Sequence, residues 1–448
     1  MKPNILLFTA DTLRCDKVGV YGCSKNLTPN IDAIAQNGKV FLNAYSTGPW
    51  TGPGFGSLFT SQYPSEIGYT IKKSKNKNEQ GYFINKTAPF LTELLKRKKY
   101  VTACFQGNYG ACSKETGFGR GFDIYEQSSS KKSLIQALLL RTYSSKLINK
   151  AKRFIKKNKN KNFFIWINLI EPHTPYIPFK YIHKTNFFSK DLFYAILKSN
   201  KIYLKPKRNP EISISDEDKQ YIKYKYDLLV KTIDDYFGEI ITHLTKLGLK
   251  QNTLIIFCSD HGEEFWDHGD NRFGVYDRGV DHGHTQYNEL IKVPLIFYFP
   301  EHIKKGKSNI LASLLDVTPT ILELLGEKQN DKKLKGISLL PNLKNERKQQ
   351  TKRILFSESV IYGTEKKAVF DGKQKLIHHI EEDIWEYYNL ETDSAEKHPI
   401  RNKNLPIELK EALISFEKNS AKKSQENEKH ASKDEELIKK RLKSLGYL

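Results

Sequence analysis

Long apolar runs are missing from this chain. No window of its 448 residues approaches eighteen uninterrupted apolar positions, which argues against a membrane-spanning helix. Cysteine is sparse. Cys15, Cys23, Cys104, Cys112 and Cys258 are scattered without metal-ligand spacing, so neither a thiolate metal site nor a disulfide framework is expected. An odd, sparse set suits free thiols in a reducing compartment. The opening "MKPNILLFTADTLR" shows no basic, apolar and cleavage-site succession of a secretory leader. These absences lead to the expectation of a cytoplasmic protein. Nucleic-acid reading motifs are missing too. The glycine run "GFGRGF" has no strand leading into it and is no dinucleotide fingerprint.

Positive charge is abundant. Lys and Arg number 73 against 51 Asp and Glu, a net charge of +22. Lysine is spread along the whole chain and rarely interleaved with aromatics, so no nucleic-acid partner is expected, although an anionic partner is. One segment is concentrated: Gln127 to Asn162 holds eleven basic residues and no acid. Its apolar residues recur at helical spacing over 131–161. Such a helix either covers a sheet with its lysines in water or makes peripheral contact with an anionic lipid or polysaccharide surface.

With 38% hydrophobic and 12% aromatic residues the chain can build a large core. Buried-strand runs, "NILLFTA" (4–10), "VTACFQGN", "NFFIWINLI" (162–170), "NTLIIFCSDHG" and "VPLIFYFP", alternate with helical patterns such as "TPNIDAIAQNG" (28–38), "FLTELLKRKKY" and "YDLLVKTIDDYFGEIITHLTKLG". Continuous apolar strands alternating with helices predict an α/β fold, a mostly parallel central sheet with helices on both faces. Polar residues gather where those strands end. Asp11 follows one, Asp260 and His261 follow another, and open α/β sheets build their sites at such ends. A lone strand-end Asp reads as a turn or cap residue; two carboxylates and an imidazole together read as a divalent-cation site. The loops "EPHTPY" and "DHGHTQY" bring further histidines for proton transfer or anion contact, whereas His268 in "WDHG" reads as structural. The stretch "GPWTGPGFGSLFTSQYP" (48–64) is nearly uncharged. It is either a turn entering a buried helix or a nucleophile loop with Thr51 or Ser57 at work.

These segments resemble the sulfatases of the alkaline phosphatase superfamily. The likeness starts at "NILLFTADTLRCDKVGVYG" and "STGPWTGPGFGSLFTSQYP". It continues in order through "GFGRGFDIY", "NLIEPHTPYIPF", "SDHGEEFWDHG", "HGHTQYNELIKVPLIFYFP" and "LLDVTPTILELLG" to "KQKLIHHIEEDIWEYYNLETDSAEKHPI". It implies a catalytic domain over 1–345 and a smaller subdomain with a short antiparallel sheet over 346–400, followed by a charged helical tail over 401–448. Carried over by motif, Asp11, Asp260 and His261 would be ligands of one divalent cation (Ca, Mn, Mg or Zn), with Thr51 as a further ligand and nucleophile. His173 would bind the anion or protonate the leaving group. Counting back five places from Glu289 gives His284 as the second basic residue, with His282 as its competitor. Loops 72–85 and 187–216 would set substrate choice.

Two departures from the family pattern matter. Thr12 stands where a second Asp is common. The family's C/S-x-P-x-R motif, whose first residue becomes formylglycine, reads Thr51-Gly52-Pro53-Gly54-Phe55, so that modification is not expected. A threonine ester cannot expel its group from carbon and must be resolved by attack at phosphorus or sulfur, which leans towards phosphoester chemistry. The set Asp11, Thr51, Asp260, His261 is similar to that of lipoteichoic acid synthases and phosphoethanolamine transferases. The expected function is therefore a cation-dependent hydrolase of a sulfate or phosphate ester, acting on an anionic ester substrate such as a glycan or lipid head group. A phosphotransferase and a non-catalytic binding protein are the alternatives.

Overall fold

The computed structural model describes residues 2–428 except 75–76, 83, 109, 128–133, 175, 186–214, 269–278, 328–332 and 347–351. The strands run, in chain order, β1 (Asn4–Ala10), β2 (Lys39–Tyr45), β3 (Tyr69–Ser74), β4 (Lys77–Tyr82), β5 (Val101–Gln106), β6 (Ile124–Gln127), β7 (Phe163–Leu169), β8 (Thr253–Ser259), β9 (Glu264–Phe265), β10 (Val280–Asp281), β11 (Leu295–Tyr298) and β12 (Gly306–Ser313). Eight of them form one sheet in the order β12-β2-β11-β8-β1-β7-β5-β6. Every neighbouring pair is parallel except the two that involve β11, which runs antiparallel to both β8 and β2. The expected mostly parallel sheet is what the chain forms.

β1, β7 and β8 are buried along their whole length, as their unbroken apolar sequences require. Alternate side chains feed two cores. Ile5 and Leu7 join Phe55, Phe59, Trp166 and Phe297 on one face, and Leu6 and Phe8 join Phe237, Phe257 and Ile240 on the other. The Thr51–Thr60 helix covers the first face and is buried throughout. The Asp216–Lys246 helix covers the second. Ser215 caps it by accepting a hydrogen bond from the Asp218 amide, and acids fill its first turn. The basic Leu134–Lys157 helix also lies on the second face: Leu147, Ile148, Ala151, Phe154 and Ile155 are buried there, while Lys150 and Lys152 pair with Glu126 and Glu239. Side chains before Ser144 in that helix fall outside the described residues, as does nearly all of the 187–216 loop. The 72–85 segment contributes the β3–β4 hairpin.

A second, antiparallel sheet follows, β13 (Leu355–Ser357), β14 (Lys366–Phe370), β15 (Gln374–His379), β16 (Ile384–Asn389) and β17 (Ile400–Arg401). The Ile407–Glu428 helix packs on it through Leu409 and Leu413 against Val369, Leu376 and Trp385. All five cysteines are free. Among the described residues no helix is long and apolar enough to cross a membrane.

Trp166 of β7 is fully buried, with ring contacts to Phe55 at 5.3 Å and Phe59 at 4.7 Å, so it holds the Thr51–Thr60 helix onto the sheet. Trp166→Ala is expected to cost about 3–5 kcal/mol of unfolding free energy in denaturant titration. A loss below about 1 kcal/mol, the range of peripheral substitutions, would show that this contact does not anchor the helix.

Candidate active site

Strand register assembles the site. Ala10 at the end of β1 lies opposite Ser259 of β8 and Leu169 of β7, and Gln106 of β5 lies opposite Asn168. The residues that follow, Asp11, Asp260, His261 and Asn108, therefore emerge together at one sheet edge. Asp11, Thr51, Asp260 and His261 are all fully buried. The ligand atoms of Asp11, Asp260 and His261 lie within 4.8 Å of one another. Thr51 is the first residue of its helix, and its Oγ1 sits 3.4 Å from both Asp11 Oδ1 and His261 Nε2.

Burial opposes charge throughout the cluster. His261 Nδ1 donates to the Gly262 carbonyl at 2.8 Å, so its unprotonated Nε2 faces the carboxylates, 3.5 Å from Asp260 Oδ2 and 3.7 Å from Asp11 Oδ1. Burial holds the His261 imidazole well below its ordinary titration range, with neighbouring His282 and His173 adding to the effect. Burial likewise pushes the Asp11 and Asp260 carboxyls up, and Asp11 raises Asp260 further. Asp260 Oδ1 accepts from the Thr12 amide at 3.2 Å and the His261 amide at 3.0 Å, but its Oδ2 has no hydrogen-bond partner. Two buried carboxyl groups and an imidazole nitrogen that crowd one another, and whose negative charge burial opposes, are what a bound cation satisfies. The donor set fits a divalent ion held by Asp11, Asp260 and His261, with the Thr51 hydroxyl in reach.

Asn108 was not legible as a functional residue. Its Nδ2 donates to Asp11 Oδ2 at 2.8 Å and lies 3.3 Å from Thr51 Oγ1, while its Oδ1 accepts from the Gly110 and Ala111 amides. It turns Asp11 Oδ1 towards the cluster and offers a donor to the Thr51 oxygen. Tyr226, from the Asp216–Lys246 helix, donates to the Thr12 carbonyl at 2.7 Å and accepts from the Arg14 amide at 2.9 Å. That clamp fixes the loop after Asp11, where Thr12 is held at φ 58, a costly backbone for a β-branched residue. Gly54 answers the glycine-rich stretch: a Cβ there would lie 2.6 Å from the Asp260 carbonyl oxygen, so only glycine lets the helix come this close. Ser57 is committed elsewhere, accepting from Thr47 Oγ1 at 2.7 Å.

The histidines separate. His173 is half-buried, and its ring centroid lies 4.8 Å from that of His282, which lies 4.5 Å from His261. His282, not His284, is thus the histidine beside the cluster. His284 Nε2 lies 2.7 Å from Glu264 Oε2 instead. Gly283 between them sits at φ 82, which turns the two side chains apart. Although burial opposes a charge on His282, Glu263 and Asp281 hold it well above the usual histidine range. His268 pairs with Glu289 at 2.9 Å and stacks on Tyr287, in keeping with the structural reading.

These side chains meet at one edge of an alkaline-phosphatase-like sheet. The family described as Sulfatase matches residues 3–327, and that described as N-sulphoglucosamine sulphohydrolase, C-terminal, matches residues 273–422. The chain belongs to the sulfatase family, hydrolases of sulfate esters. It is 24% identical to an N-acetylglucosamine-6-O-sulfatase of Bacteroides thetaiotaomicron, over 95% of this chain and 88% of that one. The chain spans 58–66% of the length of five further curated sulfatases. In fold it is similar to a protein solved with its substrate D-glucosamine-2-N,6-O-disulfate (TM-score 0.68, 21% identity, 95% of this chain and 99% of that one). It is equally similar to a phosphonate monoester hydrolase of Agrobacterium radiobacter (TM-score 0.69, 17% identity, 95% and 96%).

Two substitutions test this arrangement. Asn108→Ala should lower kcat roughly 10²-fold, the scale of one oxyanion donor, with bound cation retained in elemental analysis; unchanged turnover would remove Asn108 from the site. His282→Ala should lower turnover roughly 10²–10⁴-fold and His284→Ala far less. The reverse order in steady-state assays would restore His284 as the second basic residue.

Proposed function

We propose that the protein is a divalent-cation-dependent hydrolase that transfers the anionic group of a sugar ester onto Thr51 Oγ1 and then to water. One observation carries this: a buried threonine hydroxyl heads a helix within 3.4 Å of an aspartate and an unprotonated histidine nitrogen. A divalent ion held by Asp11, Asp260 and His261 would acidify that hydroxyl and offset charge in the transition state. The protein's own groups do the rest. The amides at the start of the Thr51–Thr60 helix favour an anion. Asn108 steadies the developing Thr51 oxyanion. His173, at the more open side, suits protonation of the leaving alcohol. As the Thr51 oxygen forms the bond to phosphorus or sulfur, its hydroxyl proton would pass to Asp11 Oδ1, which accepts its hydrogen bond, and the ester oxygen departs with the His173 proton. Water then attacks the same central atom, returning a proton to His173, while the Thr51 oxygen leaves and takes back the proton held by Asp11.

Threonine favours the phosphoryl group, because its adduct is resolved at phosphorus and has no aldehyde hydrate to collapse to. The fold shared with a phosphonate monoester hydrolase supports this leaning, while the relatives named for sugar sulfates support a sulfated glycan. A panel of nitrophenyl phosphates, phosphonates and sulfates separates the two. Thr51→Ala should abolish turnover and keep the cation, Thr51→Ser should keep part of the activity, and mass spectrometry of trapped enzyme should find the adduct on the Thr51 peptide. An active Thr51→Ala enzyme would overturn the mechanism, and wild-type protein inert on the whole panel would favour a binding protein.

A further inference from the structure

The stretch just before Thr51 is gripped by the chain that enters the second sheet. Trp50, immediately ahead of the Thr51–Thr60 helix, is almost fully buried, and its carbonyl accepts a hydrogen bond from the Gly54 amide at 3.2 Å as the helix opens. Its indole Nε1 donates to the Ser359 carbonyl at 2.6 Å. Glu358, which follows β13, donates its amide to the Thr47 carbonyl at 2.9 Å. A Cβ on Gly48 would lie 2.8 Å from the Glu358 carbonyl oxygen, so the two backbones touch there. Ser359 is held at φ 66, a backbone that serine rarely adopts and that its contacts must impose.

The Glu358 side chain fixes this turn in place. It is buried and pairs with Lys367 of β14, whose Nζ lies 2.7 Å from Oε2. Ser420 of the Ile407–Glu428 helix donates to the same oxygen at 3.1 Å, and Oε1 accepts from the Ser65 amide at 2.8 Å. One carboxylate thus joins the second sheet, the Ile407–Glu428 helix and the segment beyond the Thr51–Thr60 helix. The main chain beside it holds the segment before that helix.

Resting on the reading of Thr51 as nucleophile, we propose that Glu358 is a positioning residue for it. Through this carboxylate the second sheet and the Ile407–Glu428 helix set where the nucleophile's helix begins. The Thr51 oxygen lies 3.4 Å from Asp11 and His261. A displacement of about 1 Å at such a distance is enough to cost roughly 10²-fold in rate. Glu358 touches no reacting atom; the Thr47–Trp50 turn transmits its hold.

The test is steady-state kinetics on the nitrophenyl ester that the wild type turns over fastest, with bound cation and unfolding midpoint measured for each variant. Glu358→Gln should lower kcat roughly 10–10²-fold with KM and bound cation unchanged. That change leaves Lys367 without its counter-charge, so a second variant spares the pair. Trp50→Phe keeps a ring but deletes the bond to Ser359, and its kcat should fall several-fold. Leu409→Ala, which loosens the packing on Val369, Leu376 and Trp385 instead, should leave kcat unchanged. Should Glu358→Gln not fold, Trp50→Phe against Leu409→Ala decides alone. Wild-type kcat in Trp50→Phe and in folded Glu358→Gln, a loss carried by KM, or an equal loss in Leu409→Ala overturns the proposal. Any of these beside an inert Thr51→Ala enzyme overturns the positioning role alone. An active Thr51→Ala enzyme overturns the nucleophile reading and the positioning role with it.

Discussion

Two buried carboxylates, Asp11 and Asp260, and the lone pair of His261 share one small volume at the edge of the central sheet. Each buried, uncompensated charge costs on the order of several kcal/mol. The rest of the site reads as a response to that cost. Main-chain amides of Thr12 and His261 take up one oxygen of Asp260, Asn108 takes up one oxygen of Asp11, and burial keeps His261 neutral. The oxygens and nitrogen left over converge, and they call for a cation.

The sheet makes that convergence rigid. Parallel β1, β7, β8 and β5 end at one edge, so side chains distant in sequence are set by register rather than by flexible loops. The Thr51–Thr60 helix must then lie close enough to bring a hydroxyl in. It does so through Gly54 against the Asp260 backbone and through Phe55 and Phe59 against Trp166. The link from packing to chemistry is direct: small residues face the site and large aromatics face the core. Tyr226 adds a clamp from the opposite face, tying the loop after Asp11 to the Asp216–Lys246 helix.

Much of this was legible in the sequence. An apolar run that stops at an acid marks a buried strand and its functional end, which is why Asp11, Asp260 and His261 stand out. The glycines around Thr51 signal close approach. Asn108 did not stand out, because an amide after a strand resembles any turn residue; its position beyond the apolar run of β5, matching Asp11 beyond β1, was the available signal. Tyr226 reads as one more apolar position on a helix. The choice between His282 and His284 depended on counting from Glu289, and a count cannot foresee the turn at Gly283 that sends the two rings to different partners. The reversed direction of β11 is likewise silent, since a short apolar run reads the same either way.

The central claim is that Thr51 shares a cation with Asp11, Asp260 and His261. Anomalous diffraction from crystals of the protein grown with Mn²⁺ tests it most directly. The account predicts an anomalous peak at bonding distance from one oxygen of each aspartate, from His261 Nε2 and from Thr51 Oγ1. An empty cluster in Mn²⁺-loaded crystals, or a peak with the Thr51 hydroxyl turned away, would contradict it.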